Sequence, residues 1–219
     1  MELWIDSDSR VGPEAMAVDE WLLETTVIPV LRVYRWQGEW GSLGYFGKLA
    51  EARASLPGLE WVRRWTGGGM VDHRTDWTYS VVAPQREAIS QTRGAWSYRC
   101  IHRALNTALG AQGVVTRMSE GDMETGAALC FENPVNYDLL DDAGRKIAGA
   151  GQRRSRQGLL HQGSVALGRA DEAISRRLAE TFSNNLASNW QEMARRPSAV
   201  EIARRVTARY ARPEWTSRR

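Results

Sequence analysis

Between Leu59 and Pro84 the sequence reads LEWVRRWTGGGMVDHRTDWTYSVVAP, and this stretch constrains the fold more than any other. Two runs rich in β-branched and aromatic residues flank the triplet Gly67, Gly68, Gly69. The pattern predicts a strand, a glycine turn and a second strand over Trp77 to Val82 that stops at Pro84. The surroundings add more sheet. VLRVYRW, from Val30 to Trp36, alternates Leu31 and Val33 with Arg32 and reads as a strand. From Asn136 to Gly149, YDLL, a D-D-A-G-R turn and KIAGAG form a hairpin signal, and LLHQGSVAL is a further strand.

Helical periodicity appears elsewhere. Glu14 to Thr25 places Met16, Val18, Trp21, Leu22 and Leu23 on one side, with Gly12-Pro13 at its start and Pro29 beyond its end. From Trp96 to Leu109 the pairs Cys100/Ile101, Ala104/Leu105 and Ala108/Leu109 recur every fourth residue, which puts Cys100 on a core face. Ala170 to Asn184 reads as helix. A Ser198-x-x-Glu201 capping box opens another, with Ile202, Val206 and Tyr210 inward and Pro213 ending it. The expected architecture is α+β, a mixed β-sheet with flanking helices, in one domain over 1–219 whose 168–219 portion is helical. A length of 219 residues with 42% hydrophobic content suits a single core.

The net charge of +3 and the pI near 9.1 are mildly basic. Arginines gather at Arg153, Arg154 and Arg156, at Arg195 and Arg196, and at the C-terminus, where they attract acidic partners. No zinc, RRM-type or basic-zipper pattern supports nucleic-acid binding. No stretch has the length of a secretion signal or membrane span, so a cytoplasmic chain is expected. Cys100 and Cys130 cannot form a disulfide framework and read as free thiols. His73, His102 and His161 are too scattered for a metal site, and no G-x-S-x-G elbow marks a hydrolase.

Only two of the 29 basic residues are lysines, Lys48 and Lys146. Lysine presents a compact ammonium that exchanges its proton, whereas arginine stays charged. Lys146 opens a strand that runs into small residues, Ala148 to Gly151, which leave room for a ligand. An ammonium there can stabilise charge that develops on an oxygen during acyl transfer; an exposed strand lysine is the plainer alternative. The glycine triplet beside Arg63 and Arg64 lets backbone N–H groups converge on an anion or lets a ligand approach closely, although a hairpin turn alone would also account for it. It is neither a Walker loop nor a dinucleotide fingerprint. Cys130, in Ala-Leu-Cys-Phe-Glu-Asn-Pro, lies outside any helical stripe and would suit a nucleophile if Lys146 came near it; buried filler is the alternative.

Together the AMAVDEWLL helix, LRVYRW with SLGYF, RRWTGGGMVDH with TYSVV, GRKIAGAGQRR, LHQGS and RYARPEW resemble the lipoate-protein ligase and octanoyltransferase family over most of the chain. The resemblance implies a catalytic domain of the biotin/lipoate protein ligase type. It implies Lys146 as the essential lysine. It also implies an acyl or acyl-adenylate site from Arg64, Thr66, Gly67, Gly68, Gly69, Met70, Val71, His73, Gly149, Ala150, His161 and Gly163. The family holds two chemistries: ATP- and Mg2+-dependent ligation of lipoate through an adenylate, and octanoyl transfer from acyl-carrier protein through an enzyme cysteine. CFENPVNYDLL resembles the cysteine-bearing segment of the transferase branch, which implies a Cys130 thioester, whereas the triple glycine is the commoner ligase spelling. Implied acceptors are lipoyl-domain proteins of the dehydrogenase E2 or glycine-cleavage H type. With RYARPEW as the last matching segment, the chain is expected to lack the C-terminal accessory domain of longer ligases, which would fit a transferase or a ligase completed by an accessory subunit. A non-catalytic subunit or basic binding module is a third expectation. Asp72, Arg74-Thr75-Asp76, Ala150-Gly151 and the order His161-Gln162 depart from the family pattern.

Overall fold

The computed structural model describes residues 1–121, 135–168 and 171–218. Its first half runs β1 (Glu2–Ile5), α1 (Gly12–Thr25), β2 (Val30–Tyr34), β3 (Trp40–Leu43), α2 (Leu49–Ser55), β4 (Glu60–Arg63), β5 (Met70–Asp72) and β6 (Trp77–Pro84). Then follow α3 (Ala88–Gln91), α4 (Gly94–Ala111), β7 (Arg117–Met118), β8 (Leu139–Leu140), β9 (Lys146–Arg154), β10 (Gly158–Val165) and α5 (Glu172–Leu186). The last elements are β11 (Gln191–Glu192), α6 (Ala199–Arg205), a π-helical turn over Val206–Tyr210 and α7 (Pro213–Ser217).

Among the described residues the main sheet has the order β11-β1-β2-β6-β10-β9-β8-β7, and a small sheet has the order β4-β3-β5. β1 runs parallel to β11 and β2, and the remaining neighbours in the main sheet are antiparallel. Helices cover both faces. On one side α4 and α5 bury Ile101, Leu105, Leu178 and Phe182 against Leu31, Val33, Tyr79 and Val81. On the other, α1 and α6 bury Met16, Trp21, Leu22 and Ile202 against Val30, Tyr34, Val82 and Leu160. β2, β6 and β10 are buried along their whole lengths because neither face meets water.

That double covering corrects the reading of β2. Its alternation marks Arg32 as a polar-face residue, yet Arg32 is fully buried beneath α1, where two carboxylates receive it. The strand also ends at Tyr34, so Trp36 lies beyond it. Helix α4 begins two residues before the expected start, and Trp96 is exposed. Its buried stripe is Ser97, Ile101, Ala104, Leu105 and Ala108, so Cys100 falls at the edge, half-buried, rather than in the core. Pro213 closes the preceding helix and also opens α7, since proline lacks only an N–H that a first helical turn leaves unpaired. The C-terminal portion is only partly helical: α5, α6, the π-helical turn and α7 are separated by an irregular stretch that carries β11, which joins the main sheet edge. The capping box at Ser198 and Glu201 forms as expected. Among the described residues no helix is long and apolar enough to cross a membrane.

Candidate active site

Residues paired across neighbouring strands point to the same face of a sheet. Tyr34 pairs with Thr78, Thr78 with Ser164, and Ser164 with Gly149. This row crosses β2, β6, β10 and β9 on the α1 face. Beside it Gln162 pairs with Gly151. The row floors a slot of about 20 Å³ whose walls include Met16, Trp36, Ser42, Arg64, Val71 and His73. That space holds one water, so a longer ligand enters only as Met16, an unbranched and adaptable side chain, and the glycine loop give way.

The glycine loop closes over β9 because β9 has no side chains there. A Cβ at Gly151 would run into the Gly67 carbonyl, and one at Gly149 would lie 2.5 Å from Lys146 Nζ. Gly68 has φ +93, a left-handed conformation that favours glycine. Thus the two constellations singled out in the sequence, 67–69 and Lys146, meet on one strand.

A chain of hydrogen bonds surrounds the slot. Arg32 donates to Asp6 and to Asp19, both at 2.7 Å. Asp19 also accepts from Ser80 Oγ and from Gln162 Nε2, and Gln162 Oε1 accepts from Thr66 Oγ1 at 2.8 Å. Arg64 donates to the Gly67 and Gly69 carbonyls, which fixes the loop, and to Ser42 Oγ. Ser42 Oγ contacts His73 Nε2 at 2.6 Å, His73 Nδ1 contacts Asp76 at 2.8 Å, and Asp76 accepts from Thr78 and Ser164. Because the Asp76 carboxylate can only accept, Nδ1–H donates to it, and in the neutral ring Nε2 is then the acceptor for the Ser42 hydroxyl. Burial works against the Arg32 charge, but Asp19 and Asp6 outweigh it and raise the guanidinium's pKa. Burial and Asp19 together push the Tyr34 phenol well up. Trp36 stacks on His73 at 4.0 Å, and beyond this pair lies an open cleft of about 600 Å³.

Against Gly149, which lines the slot, stands Lys146, almost fully buried, with Nζ 2.7 Å from Asp138 Oδ2. Asp138 is itself held. Tyr98 donates to its Oδ1 at 2.5 Å, and the Val135 N–H donates to Oδ2 at 2.8 Å. Tyr98 in turn accepts the Ala150 N–H at 2.8 Å, tying α4 to β9. The residue before Asp138, Tyr137, has φ +72, a left-handed conformation uncommon for a bulky side chain. This bend turns the carboxylate toward Lys146.

The slot thus gathers Arg64, Val71, His73, Gly149, Ala150 and Gly163, all expected from the sequence, with Thr66 to Gly69 bonded around it and Lys146 beside Gly149. Two expected residues are placed elsewhere. Met70 packs into the small-sheet core with Leu43, Leu59 and Trp61. His161 lies on the α4 face, because strand parity sends Gln162 into the slot and its predecessor away from it. There His161 contacts Tyr79 and Gln152, and burial, then His102 and Arg154, depress its pKa well below the ordinary histidine value. Cys130 lies outside the described residues. Asp138, Tyr98, Asp19 and Gln162 were not among the expected residues. The signal for Asp138 was a carboxylate directly preceding the apolar pair Leu139-Leu140, and for Asp19 a carboxylate within an otherwise apolar helix. Among the described residues no cluster of His, Cys, Asp and Glu could hold a metal ion.

The mixed sheet, with a glycine loop and a buried lysine on one strand, has the fold of the lipoate protein ligases. The chain belongs to the lipoyl protein ligase A/B catalytic-domain family, whose model matches residues 12–208. A relative named octanoyltransferase LipM, from Carboxydothermus hydrogenoformans, is 36% identical over 76% of this chain. The chain spans 66% of that relative's length. In fold it is similar to lipoate-protein ligase A bound with ATP, with a TM-score of 0.74 and 20% identity over 99% of this chain and 98% of the other. It is also similar to a bi-partite lipoate protein ligase studied with its E2 lipoyl domain from Thermoplasma acidophilum. There the TM-score is 0.71 and the identity 19%, over 99% of this chain and 95% of the other.

Proposed function

We propose that this chain transfers an octanoyl group from acyl-carrier protein, through a thioester on Cys130, to a lysine of lipoyl-domain proteins in the cytoplasm. The observation that carries the reading is Lys146, buried and held by Asp138 against Gly149, a residue that lines the slot, while the glycine loop packs over Gly151 of the same strand. The likeness to a protein named an octanoyltransferase supports it and favours transfer over ligation. In the proposed reaction the acyl chain lies along the row from Gly149 to Tyr34, displacing Met16. Its carbonyl then stands near Lys146, whose ammonium faces the oxygen as negative charge develops there in the tetrahedral intermediate. Asp138 and Tyr98 keep the ammonium in place before the substrate arrives, so little reorganisation accompanies the reaction. The single-domain organisation over 1–219 is part of this reading.

Intact mass spectrometry of wild type and Cys130→Ala tests it. Each protein is incubated with octanoyl-loaded carrier protein, or with octanoate or lipoate plus ATP and Mg2+, before a lipoyl domain is added. An octanoyl adduct on wild type alone, passed to the lipoyl domain without ATP, is the expected result. Acylation that requires ATP and survives loss of Cys130 would make the chain a ligase instead. No acylation by either route would leave the non-catalytic subunit.

A further inference from the structure

On the outer side of the glycine loop, three arginines and three aromatic residues alternate in a closed ring. The Arg153 guanidinium stands 4.6 Å from the Trp65 ring and 5.4 Å from Tyr45. Arg218 stands 4.4 Å from Tyr45 and 5.2 Å from Trp215. Arg209 closes the ring, 5.2 Å from Trp215 and 4.2 Å from Trp65. The members come from β9, the π-helical turn, the C-terminal segment and the loops after β3 and β4. Arg63 joins these parts from below: it is buried and donates to the carbonyls of Gly44, Tyr45 and Gly47 on one side and of Trp215, Thr216 and Arg218 on the other. The Tyr45 N–H donates to the Thr66 carbonyl, so the ring abuts the glycine loop that packs over β9 beside the slot.

Two properties make this a recognition surface. Among the described residues Arg209 pairs with Glu20, while Arg153 and Arg218 show no carboxylate partner, so the ring carries net positive charge. The aromatic rings flank the guanidinium groups, and the half-buried Arg153 and Arg218 carry charge that no carboxylate among the described residues offsets. At its rim Phe46 is 83% exposed, edge-on to Tyr45 at 5.0 Å. An exposed aromatic anchor set among arginines is the composition of an interface hot spot.

We propose that this ring, with Phe46 at its rim, is the docking face for the acidic carrier domain that delivers the acyl thioester. The inference rests on the reading that the chain takes its acyl group from a carrier. Distance separates donor from acceptor: Arg153 lies seven residues along β9 from Lys146, about 23 Å at the usual strand rise. An acceptor domain must bring its own short lysine side chain to the acyl carbonyl and so must sit close to Lys146. A donor carries its acyl group on a long flexible phosphodiester arm, and can dock at that remove while arginine forks engage its acidic surface and the phosphate.

The test compares acylation of the full chain by octanoyl-loaded carrier protein with acylation by the N-acetylcysteamine thioester of octanoate. It uses wild type, Arg153→Gln/Arg218→Gln and Phe46→Ala, the last at a site too exposed to threaten folding. In both variants KM for the carrier should rise at least about tenfold, and the double variant should lose most of its salt dependence. Rates with the small thioester should stay within about twofold of wild type. Equal losses with both donors, or no loss with either, would overturn the docking face. Slower transfer from pre-acylated enzyme to the lipoyl domain, with carrier acylation intact, would assign the face to the acceptor and overturn the donor assignment. A wild type acylated by neither donor would remove the transfer reading itself, and the proposal with it.

Discussion

Under α1, the central sheet buries charge: Arg32, Asp6, Asp19, Arg64 and His73 form one hydrogen-bonded chain around a nearly filled slot. Under α4 it buries aromatic and aliphatic side chains around two histidines, His102 and His161, whose rings are 5.5 Å apart. Burial and partners differ in kind. On the first face each charge has an opposite charge or several dipoles in reach. On the second, burial drives both imidazoles toward neutrality, and His102 is lowered to about 4 although Asp138 and the Tyr137 carbonyl oppose the shift. A protein interior tolerates ionic groups only where partners replace water. The face that keeps them is the face that carries the slot, whereas the other is packed with apolar side chains.

The contrast is broken most directly at Asp19, which accepts from Arg32, Ser80 and Gln162. Asp19→Ala leaves Arg32 with one carboxylate fewer and should lower unfolding free energy by about 3 kcal/mol, the range for breaking a buried pair by removing one partner. Urea denaturation measures it. A loss below about 1 kcal/mol, the worth of one ordinary hydrogen bond, would mean that the network is not needed to hold Arg32. The next effect falls on chemistry. Lys146→Arg keeps the charge, but a planar fork cannot occupy the space that Gly149 leaves for a lysine stem. Acyl transfer should fall at least about a hundredfold while the circular dichroism spectrum stays unchanged. An active arginine variant would remove Lys146 from the centre of the mechanism.

Much of this arrangement was legible in the sequence where a residue type or period has one physical meaning. The glycine triplet marked the loop, the rare lysine marked β9, and fourfold spacing marked α4. Less legible were features that depend on what covers a strand. Arg32 alternates like a surface residue, and only the packing of α1 over β2 turns it into a buried cation. His161 and Gln162 are adjacent, so a single unit of strand parity decides which faces the slot. Asp138 reaches Lys146 through the left-handed backbone at Tyr137, a conformation that residue type does not announce.

The α4 face should reveal itself through acid. Both buried histidines have folded pKa values below the unfolded 6.5, so their neutral forms cause no loss of stability above that pH. As pH falls below 6.5, the unfolded chain gains protons that the folded chain refuses. For His102 the loss should be about 1.4 kcal/mol per pH unit, continuing toward pH 4 where the folded group also titrates, and His161 acts in the same direction. Urea midpoints at pH 7.5 and 5.5 measure the sum, and His102→Gln should flatten the slope. An unchanged slope in that variant would show that His102 does not carry the acid sensitivity.

The smallest expected effect separates the two cysteines. Cys100 lies at the edge of the buried stripe of α4, half-exposed, on the side of the sheet away from the slot. Exchanging its sulfur for a hydroxyl removes little buried apolar surface and leaves the hydroxyl able to reach water. Cys100→Ser should therefore change stability by no more than about 0.5 kcal/mol, as for substitutions outside the core, and leave acyl transfer at the wild-type rate. Cys130→Ala, by contrast, should abolish transfer without ATP. If Cys100→Ser removed transfer with an unchanged melting curve, the nucleophile would lie on the α4 face. The assignment of the chemistry to the face that carries the slot would then fail at its central point.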